Sequence, residues 1–304
     1  MTQGITDTIL MIRPKNFGPN PETLLDNSFQ DNGEGVDPQL ILNEAISEFD
    51  NMVALLQKHD IEVLVIEDTN EPAKPDAIFP NNWFSTHDNK TIATYPMKSE
   101  LRRLERRDDI VEKLTELQTY KKHYVFEYHE PNEEYLEGTG SMILDRVNKI
   151  VYAGLSQRTN IKVLEKFAVL YNYQKVIFHP FDRHGSPIYH TNVMMHVGTD
   201  LAVVCFDSIT SDDEKSEVRN SLINTNKVIL EISFDQMEQF AGNMLEVKSK
   251  LGQKYMVMSD TAYKCLKDNQ INMIEEHLKI LHIPIPTIEK YGGGSVRCMM
   301  AEIY

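Results

Sequence analysis

The 304-residue chain has 41% hydrophobic and 25% charged residues, a balance typical of globular proteins and unlike that of disordered or fibrous chains. Its formal charge of −15 would repel a polyanion, so we expect no nucleic-acid partner. The start lacks the pattern of a secretory signal, and apolar runs such as residues 201–206 are far too short to span a membrane. These features predict a soluble, cytoplasmic protein without a membrane partner.

The predicted elements begin with an apolar strand at residues 9–13. A helix follows, for which Asp37 is the expected cap and Pro38 lies in the first turn. A second apolar strand covers residues 61–66. This first segment therefore has one strand fewer than the units that come after it.

Four later segments share the order strand, strand, helix, strand. The next unit along the chain has strands at the start and end of residues 77–128, with a helix pattern in 99–118. The same order recurs from residue 141 to 178, from 190 to 232 and from 243 to about 283. Each copy is a ββαβ unit.

The last strand pattern, residues 298–303, has no unit of its own. It would complete the N-terminal segment, and pairing the two ends of the chain closes a ring without exposed sheet edges. Because no Pro-, Gly- or Ser-rich linker divides the sequence, we expect one domain over residues 1–304. The predicted fold is a five-bladed, pseudo-symmetric α/β propeller, and an open α/β sheet is the alternative.

A polar residue stands at the start of the first strand of every unit, at intervals close to one unit. These residues are Asp76, Glu137, His190, Asn243 and Cys298. Equivalent positions in a ring of repeats converge on its axis. We therefore expect all five side chains to share one pocket.

Cys298 is the candidate nucleophile among three cysteines. Three consecutive glycines at 292–294 precede it, which suits a sharp turn and a close approach to another group. The alternative for Cys298 is a buried cysteine that packs as a small apolar residue. The apolar surroundings of Cys205 and Cys265 favour this packing interpretation for those two cysteines. No CxxC or paired Cys/His spacing indicates a metal site or a disulfide framework.

His190 and Glu137 complete the predicted chemistry. A thiol needs a base or a cation to be nucleophilic at neutral pH, and its leaving group needs a proton, so one histidine can serve in both steps. Glu137 lies in LEGTGS and could orient His190 or bind a substrate nitrogen. A solvated loop carboxylate is the alternative for this residue.

Several blocks of the sequence together resemble a known family. The blocks are DAIFPNNWFST, ELRRLERR, LEGTGSMILDR, GLSQRTN, IYHTNVMM, AGNMLEV and GGGSVRCMMAEI. They resemble the citrulline utilisation hydrolase group of the amidinotransferase/arginine deiminase superfamily. The resemblance implies the five-bladed propeller and a catalytic centre of Cys298, His190 and Glu137.

The resemblance also implies a set of substrate-binding residues. The pocket block of the related dimethylarginine hydrolases falls on Asp76, Phe79, Asn81 and Asn82. Their two carboxylate-binding arginines fall on Arg102 and Arg158, and Arg158 is the firmer match because that of Arg102 needs a one-residue gap. Asn192 and Asn243 complete the expected substrate site.

Amides stand where guanidinium enzymes place acids, at Asn81, Asn82 and Asn192. A buried carboxylate that faces a neutral group loses its hydration without compensation, whereas an amide both donates and accepts hydrogen bonds. A ureido group has both a C=O and NH groups. The substitutions therefore favour citrulline over arginine.

These observations predict a cysteine-dependent hydrolase that converts citrulline to ornithine, CO2 and ammonia through an S-carbamoyl intermediate. We expect no metal or organic cofactor and an amino acid as the partner, while a homo-oligomer is left open. One alternative is an arginine deiminase, dimethylarginine hydrolase or amidinotransferase-type enzyme. The other is an inactive amino-acid-binding homologue.

Overall fold

A computed structural model describes residues 4–24, 27, 29–118 and 120–304. In this part of the chain fifteen strands form five three-stranded sheets. In chain order the strands are β1 (Thr8–Arg13), β2 (Glu62–Glu67), β3 (Phe84–His87), β4 (Thr91–Thr94), β5 (Lys122–Val125), β6 (Ile143–Asp145), β7 (Ile150–Gly154), β8 (Gln174–Phe178), β9 (Met195–Val197), β10 (Leu201–Val204), β11 (Val228–Glu231), β12 (Leu245–Lys248), β13 (Lys254–Ser259), β14 (Lys279–Ile283) and β15 (Ala301–Ile303).

Helices connect the strands within and between the sheets. They are α1 (Pro38–Lys58), α2 (Glu100–Arg103), α3 (Asp108–Gln118), α4 (Gly138–Ser141), α5 (Ile161–Tyr171), α6 (Thr191–Met194), α7 (Asp212–Asn224), α8 (Phe234–Glu238), α9 (Asp260–Cys265), α10 (Asp268–Glu275) and α11 (Pro286–Gly292). Short 3-10 turns cover Pro80–Asn82, Glu127–Asn132 and Phe206–Ser208. None of the helices in the described ranges is long and apolar enough to cross a membrane.

Every sheet has the same topology. Its middle strand pairs antiparallel with one neighbour and parallel with the other, and a helix lies between the two parallel strands. The middle strands β4, β7 and β10 are buried along their whole length because both of their edges and faces are covered. This is the predicted ββαβ unit.

The ends of the chain share one sheet. β1 lies between β15 and β2, pairing antiparallel with β15 through Thr8 opposite Ile303 and parallel with β2. Hydrogen bonds then join each sheet to the next around the ring: Thr86 Oγ1 to Glu302 O, Arg146 Nη1 to Thr86 O, Gly154 N to Thr191 Oγ1, Asn243 Nδ2 to Asn192 O and Lys248 N to Thr6 O. The five-bladed α/β propeller is confirmed.

Local sequence accounts for the helix that starts the first unit. The Asp37 side chain accepts a hydrogen bond from Gln39 N, and Pro38 opens α1, as predicted. Apolar residues spaced three or four apart form its buried face: Ile41, Ala45, Phe49, Met52 and Leu56. This face packs into the apolar cluster between the first and last sheets.

The structure differs from the prediction at the start of the units. The predicted strands at 141–144 and 190–197 begin as one-turn helices, since Ser141 belongs to α4 and residues 191–194 form α6. The predicted helix at 99–118 divides into α2 and α3. In these one-turn helices the backbone N–H groups bond locally, for example Ser141 N to Glu137 O, and so do not enter the sheet. The strands are therefore shorter, and the polar residues precede a helical turn.

Candidate active site

The five polar residues converge around one cavity. Glu137 and His190 lie immediately before α4 and α6, and Asn243 and Cys298 lie in the turns that precede β12 and β15. Asp76 precedes the 3-10 turn that leads into β3. The structure thus brings together residues from five separate segments, which share a small cavity or contact its lining.

That cavity is small, with a volume of about 20 Å³. Seven of the residues expected from the sequence line it: Asp76, Phe79, Asn82, Arg102, Arg158, His190 and Cys298. The other lining residues are Thr23, Asn27, Tyr189 and Gly292, Gly293 and Gly294. The remaining predicted residues, Glu137, Asn81, Asn192 and Asn243, are buried next to it.

Glu137 and His190 form a buried hydrogen-bonded pair. His190 Nε2 lies 2.7 Å from Glu137 Oε2, and Glu137 Oε1 accepts a hydrogen bond from Lys98 N at 3.0 Å. Glu137 is fully buried, so both carboxylate oxygens are occupied by the protein. This geometry favours the orienting role over direct contact with substrate.

The electrostatics of the pair keep the acid charged and the imidazole neutral. Burial by itself would raise the pKa of Glu137, but the nearby charge of Arg158 and the hydrogen bond from His190 hold that pKa well below its usual range. Burial lowers the pKa of His190, although Glu137 opposes this effect. A neutral imidazole held by a carboxylate can accept a proton at neutral pH.

Two glycines of LEGTGS permit this packing. Gly138 has a φ of +47°, and a Cβ there would lie 2.4 Å from Asn81 O. A Cβ on Gly140 would lie 2.8 Å from His190 Nδ1 and 2.3 Å from Asn82 Nδ2. The glycines are therefore required because the backbone of α4 lies directly against the site.

Replacing Gly140 by alanine is expected to lower kcat/KM by roughly 10²-fold, because the new methyl group must displace the His190 ring or the Asn82 amide. Gly18→Ala is the matched control, since a Cβ at Gly18 meets nothing within 4 Å. Steady-state kinetics with circular dichroism of both variants test this. Unchanged kinetics of a folded Gly140→Ala variant would contradict the close packing.

Cys298 lies in a turn supported by the glycine segment. Its N–H bonds to Ser295 O at 2.9 Å, and Phe79 packs beneath the glycines, where a Cβ on Gly292 would lie 2.7 Å from the Phe79 ring. Asn192 Nδ2 and Asn243 Nδ2 each lie 3.4 Å from the sulfur. Two amides therefore contact the sulfur directly.

The other two cysteines lie outside the cavity lining. Burial raises the pKa of both Cys205 and Cys265 to about 11. Cys205 is part of the apolar cluster around β10. Both thiols therefore remain protonated at neutral pH, in agreement with the packing interpretation.

The two arginines are buried beside Glu137. Arg158 Nη1 lies 3.6 Å from Glu137 Oε2, and its guanidinium group lies over the Tyr189 ring at 4.9 Å. Arg102 donates to both oxygens of Glu105, at 2.8 and 3.0 Å, and its Nη1 lies 3.8 Å from Glu137 Oε2. Arg102 is thus already paired with Glu105, a partner that the sequence analysis did not anticipate.

Asp76 and the amides present unfilled hydrogen-bonding capacity. Asp76 Oδ2 accepts from Asn20 at 2.7 Å, while its Oδ1 is buried without a hydrogen-bond partner. Burial raises the pKa of Asp76, and Arg102 opposes this effect. Buried atoms of the neighbouring amides also lack a partner: Asn81 Oδ1, Asn82 Nδ2 and Asn192 Oδ1. Groups of this kind are suited to bind a polar ligand.

Some contributors were missed in the sequence. Asn20, Thr23 and Asn27 come from the loop before α1, where isolated polar residues follow no spacing that indicates their role. Glu105 carries a usable signal, because an acid three residues after Arg102 pairs with it on a helical turn. Tyr189 directly precedes His190 and could have been inferred from that position.

The comparisons with known proteins agree with this geometry. The family model of the eukaryotic N,N-dimethylarginine dimethylhydrolase matches residues 13–304. The chain belongs to this family. It is therefore a hydrolase of the amidinotransferase superfamily, whose members act on guanidino or amidino C–N bonds. The predicted superfamily is confirmed, whereas the family model names a dimethylarginine hydrolase and not the citrulline group that the sequence blocks resemble. No curated protein matches the chain.

Solved structures share the fold of this family member. The N-terminal domain of ArgZ, a cyanobacterial arginine dihydrolase, bound to product, has a TM-score of 0.76 and 15% identity, covering 98% of this chain and 97% of that domain. Unliganded ArgZ has a TM-score of 0.74 and 15% identity over 97% of this chain, which spans only 40% of the ArgZ chain. A dimethylarginine dimethylaminohydrolase adduct with S-methyl-L-thiocitrulline has a TM-score of 0.66 and 13% identity, covering 98% and 100% of the two chains. At these identities the similarity establishes the fold.

Proposed function

We propose that this protein hydrolyses the ureido group of citrulline to ornithine, CO2 and ammonia, with Cys298 as the nucleophile. One observation carries the choice of substrate: the buried amide atoms without a hydrogen-bond partner at the site include both acceptors, Asn81 Oδ1 and Asn192 Oδ1, and a donor, Asn82 Nδ2. An amide can donate to the ureido oxygen and accept from the ureido nitrogen, whereas a guanidinium group offers donors only.

Most oxygens of the nearby carboxylates are already hydrogen-bonded within the protein, which supports the same choice of substrate. Glu137 is bonded to His190 and Lys98 N, and Glu105 is bonded through both oxygens to Arg102. Among the described acids at the site, Asp76 alone keeps a buried oxygen without a hydrogen-bond partner. A guanidinium group would therefore find little free negative charge to compensate its own lost hydration.

In the first step His190 takes the proton of the Cys298 thiol, and the resulting thiolate attacks the ureido carbon. The bond between this carbon and the δ-nitrogen of the substrate breaks, and His190 supplies the proton that makes ornithine a neutral leaving amine. The enzyme is left with a carbamoyl group on sulfur. Glu137 stabilises the imidazolium form of His190 and fixes the direction of its ring.

In the second step His190 takes a proton from water, and the resulting hydroxide attacks the carbamoyl carbon. The C–S bond breaks, the thiolate is restored, and carbamate leaves and decays to CO2 and ammonia. These steps use side chains of the chain itself and need no metal or organic cofactor.

The remaining residues are proposed to bind the amino-acid part of the substrate. Arg158 and Arg102 would hold the α-carboxylate by charge-assisted bonds, with the larger share from Arg158 because Arg102 is also paired with Glu105. The free oxygen of Asp76 would accept from the α-ammonium group, and Phe79 would contact the methylene chain. Asn81 and Asn82 would form hydrogen bonds with the ureido group, either directly or through neighbouring residues.

We also propose that residues 1–304 form one catalytic domain. Strands from both ends of the chain pair in the same sheet, and Cys298 lies just before one of them. The site therefore depends on closure of the whole ring.

A guanidino hydrolase or deiminase is the second candidate function. The matched family model is named for dimethylarginine, and Asp76 Oδ1 could accept from a guanidinium group. The same nucleophile would then form an alkylthiouronium intermediate.

Turnover of citrulline, arginine and N,N-dimethylarginine by the purified protein separates the candidates. Ornithine and citrulline are quantified as products, and we expect the highest kcat/KM for citrulline with release of ornithine. Faster turnover of either guanidino substrate would reject the proposed substrate.

The variant Asn82→Asp is expected to lower kcat/KM for citrulline by at least about tenfold, which corresponds to ~1.4 kcal/mol. The cause is a buried charge beside a neutral group, and the relative rate with arginine should rise. Asn43→Asp on the exposed face of α1 is the control. An unchanged ratio of the two substrates would count against a role for this amide in specificity.

A further inference from the structure

We propose that Asn192 and Asn243 form an amide cradle for the Cys298 sulfur, which stabilises the thiolate by two N–H···S hydrogen bonds. This role differs from the substrate contact expected for both residues from the sequence. It rests on the proposed function only in so far as Cys298 is the nucleophile, and it is independent of which substrate the enzyme prefers.

The orientation of the Asn243 amide is fixed by the backbone. Its Oδ1 accepts from Arg297 N at 3.0 Å, and its Nδ2 donates to Asn192 O at 3.0 Å. A flipped amide would place donor against donor and acceptor against acceptor. The Asn243 NH2 group is therefore held toward the sulfur, 3.4 Å away.

Asn192 supplies the second donor from the neighbouring unit. Its Nδ2 also lies 3.4 Å from the sulfur, and Asn192 is the second residue of α6, directly after Thr191. Asn243 donates to the backbone carbonyl of this same residue, which links the two members of the cradle. Both side chains are almost completely buried, at 1% exposure.

The amide donors of the cradle lie closer to the sulfur than its amide acceptor does. A neutral thiol would act as a donor, and its nearest acceptor in the cradle, Asn243 Oδ1, is 3.8 Å away. The two amide donors are closer, at 3.4 Å. Hydrogen bonds to an ionised acceptor are roughly twice as strong as those between neutral groups, so the cradle favours the thiolate over the thiol.

Charged and titratable groups also face the cavity from the other units. They are Asp76, Arg102, Arg158 and His190, with Glu137 bonded to His190. The acids oppose a thiolate and the arginines favour it, so these charges partly cancel. The amides do not titrate, which makes their effect on the sulfur constant across the working pH range.

The cradle acts on two steps of the reaction. As the thiol proton moves to His190 the cradle stabilises the negative charge that develops on the sulfur, and when the C–S bond of the intermediate breaks it receives the returning negative charge. Loss of a cradle residue should therefore lower kcat more than it raises KM, whereas loss of a substrate contact would raise KM.

The test is the pH dependence of Cys298 alkylation by iodoacetamide, followed by intact-protein mass spectrometry in a Cys205→Ala, Cys265→Ala background. In Asn243→Ala and in Asn192→Ala the midpoint of the rate profile should move to higher pH by about one unit, with about tenfold slower alkylation at neutral pH. Gln270→Ala is the control, because Gln270 is a buried amide that bonds to Glu231 O and lies outside the cavity lining.

Profiles of both cradle variants that coincide with the parent profile would overturn the proposal. Two variants from different units keep the test decisive if one of them fails to fold. Because alkylation needs no substrate, a shifted midpoint without citrulline turnover would support the cradle while rejecting the proposed substrate.

Discussion

Replacing Cys298 by alanine is expected to reduce hydrolysis by roughly 10³-fold or more, since in the part of the chain that the structure describes Cys298 is the one thiol that lines the cavity. Cys205 and Cys265 cannot substitute for it because burial raises their pKa to about 11 and both lie outside the cavity lining. The measurement is ornithine release from citrulline, with binding of citrulline followed by calorimetry. The variant should still bind the substrate.

Cys205→Ala is the matched control, because it removes a buried thiol of the apolar cluster around β10, outside the cavity lining. It is expected to lose stability and keep its kcat. The parent protein, quenched during turnover, should carry a carbamoyl adduct on Cys298. If Cys298→Ala turned over citrulline as the parent does, Cys298 would not be the nucleophile. If neither protein turned over any tested substrate but both bound it, the chain would be an inactive amino-acid-binding homologue.

The repeated units and the helix cap could be predicted from the sequence because both depend on residues that are close together in the chain. The alternation of apolar strands with helices gave all five units, and the cap of α1 at Asp37 is where the sequence indicates it. The pairing of β1 with β15 is a long-range event, yet an unpaired strand pattern at each end of the chain was enough to predict it.

Tertiary contacts account for what the sequence did not reveal. The one-turn helices α4 and α6 contain residues such as Gly138 and Val193 that have a weak preference for helices, and their shape is set by tertiary packing. The same holds for Asn20, which reaches Asp76 from 56 residues away. Such contacts leave no periodic signal in a single sequence.

The site shows a similar division. The spacing of the units predicts that Cys298, His190 and Glu137 share one pocket. In the structure Cys298 and His190 line one cavity, and Glu137 is hydrogen-bonded to His190. The separate roles of the amides could not be predicted from the sequence, because an asparagine is equally suited to contact a substrate or a sulfur atom. Only the hydrogen bonds of Asn243 to Arg297 N and Asn192 O distinguish the two roles.

Replacing Glu137 by glutamine is expected to lower both activity and stability while keeping the shape of the side chain. Glutamine can still accept from Lys98 N, but it leaves the buried guanidinium groups of Arg158 and Arg102 without their shared counter-charge. Loss of one partner of a buried ion pair costs about 3–5 kcal/mol. The imidazolium form of His190 also loses its partner, so kcat should fall by roughly 10²-fold or more.

The stability effect has a defined pH dependence. Since the pKa of Glu137 is lowered in the folded protein relative to its ordinary value of 4.5, its contribution is fully present above that value and is lost as the pH falls below it. The difference in free energy of unfolding between the parent and Glu137→Gln should therefore be largest at pH 7 and shrink in acid. Denaturant titrations at pH 7 and below pH 4 measure it, with Glu112→Gln on the exposed face of α3 as the control. A difference that grows in acid, or a variant as stable and active as the parent at pH 7, would show that the buried carboxylate does not hold the histidine and the two arginines together.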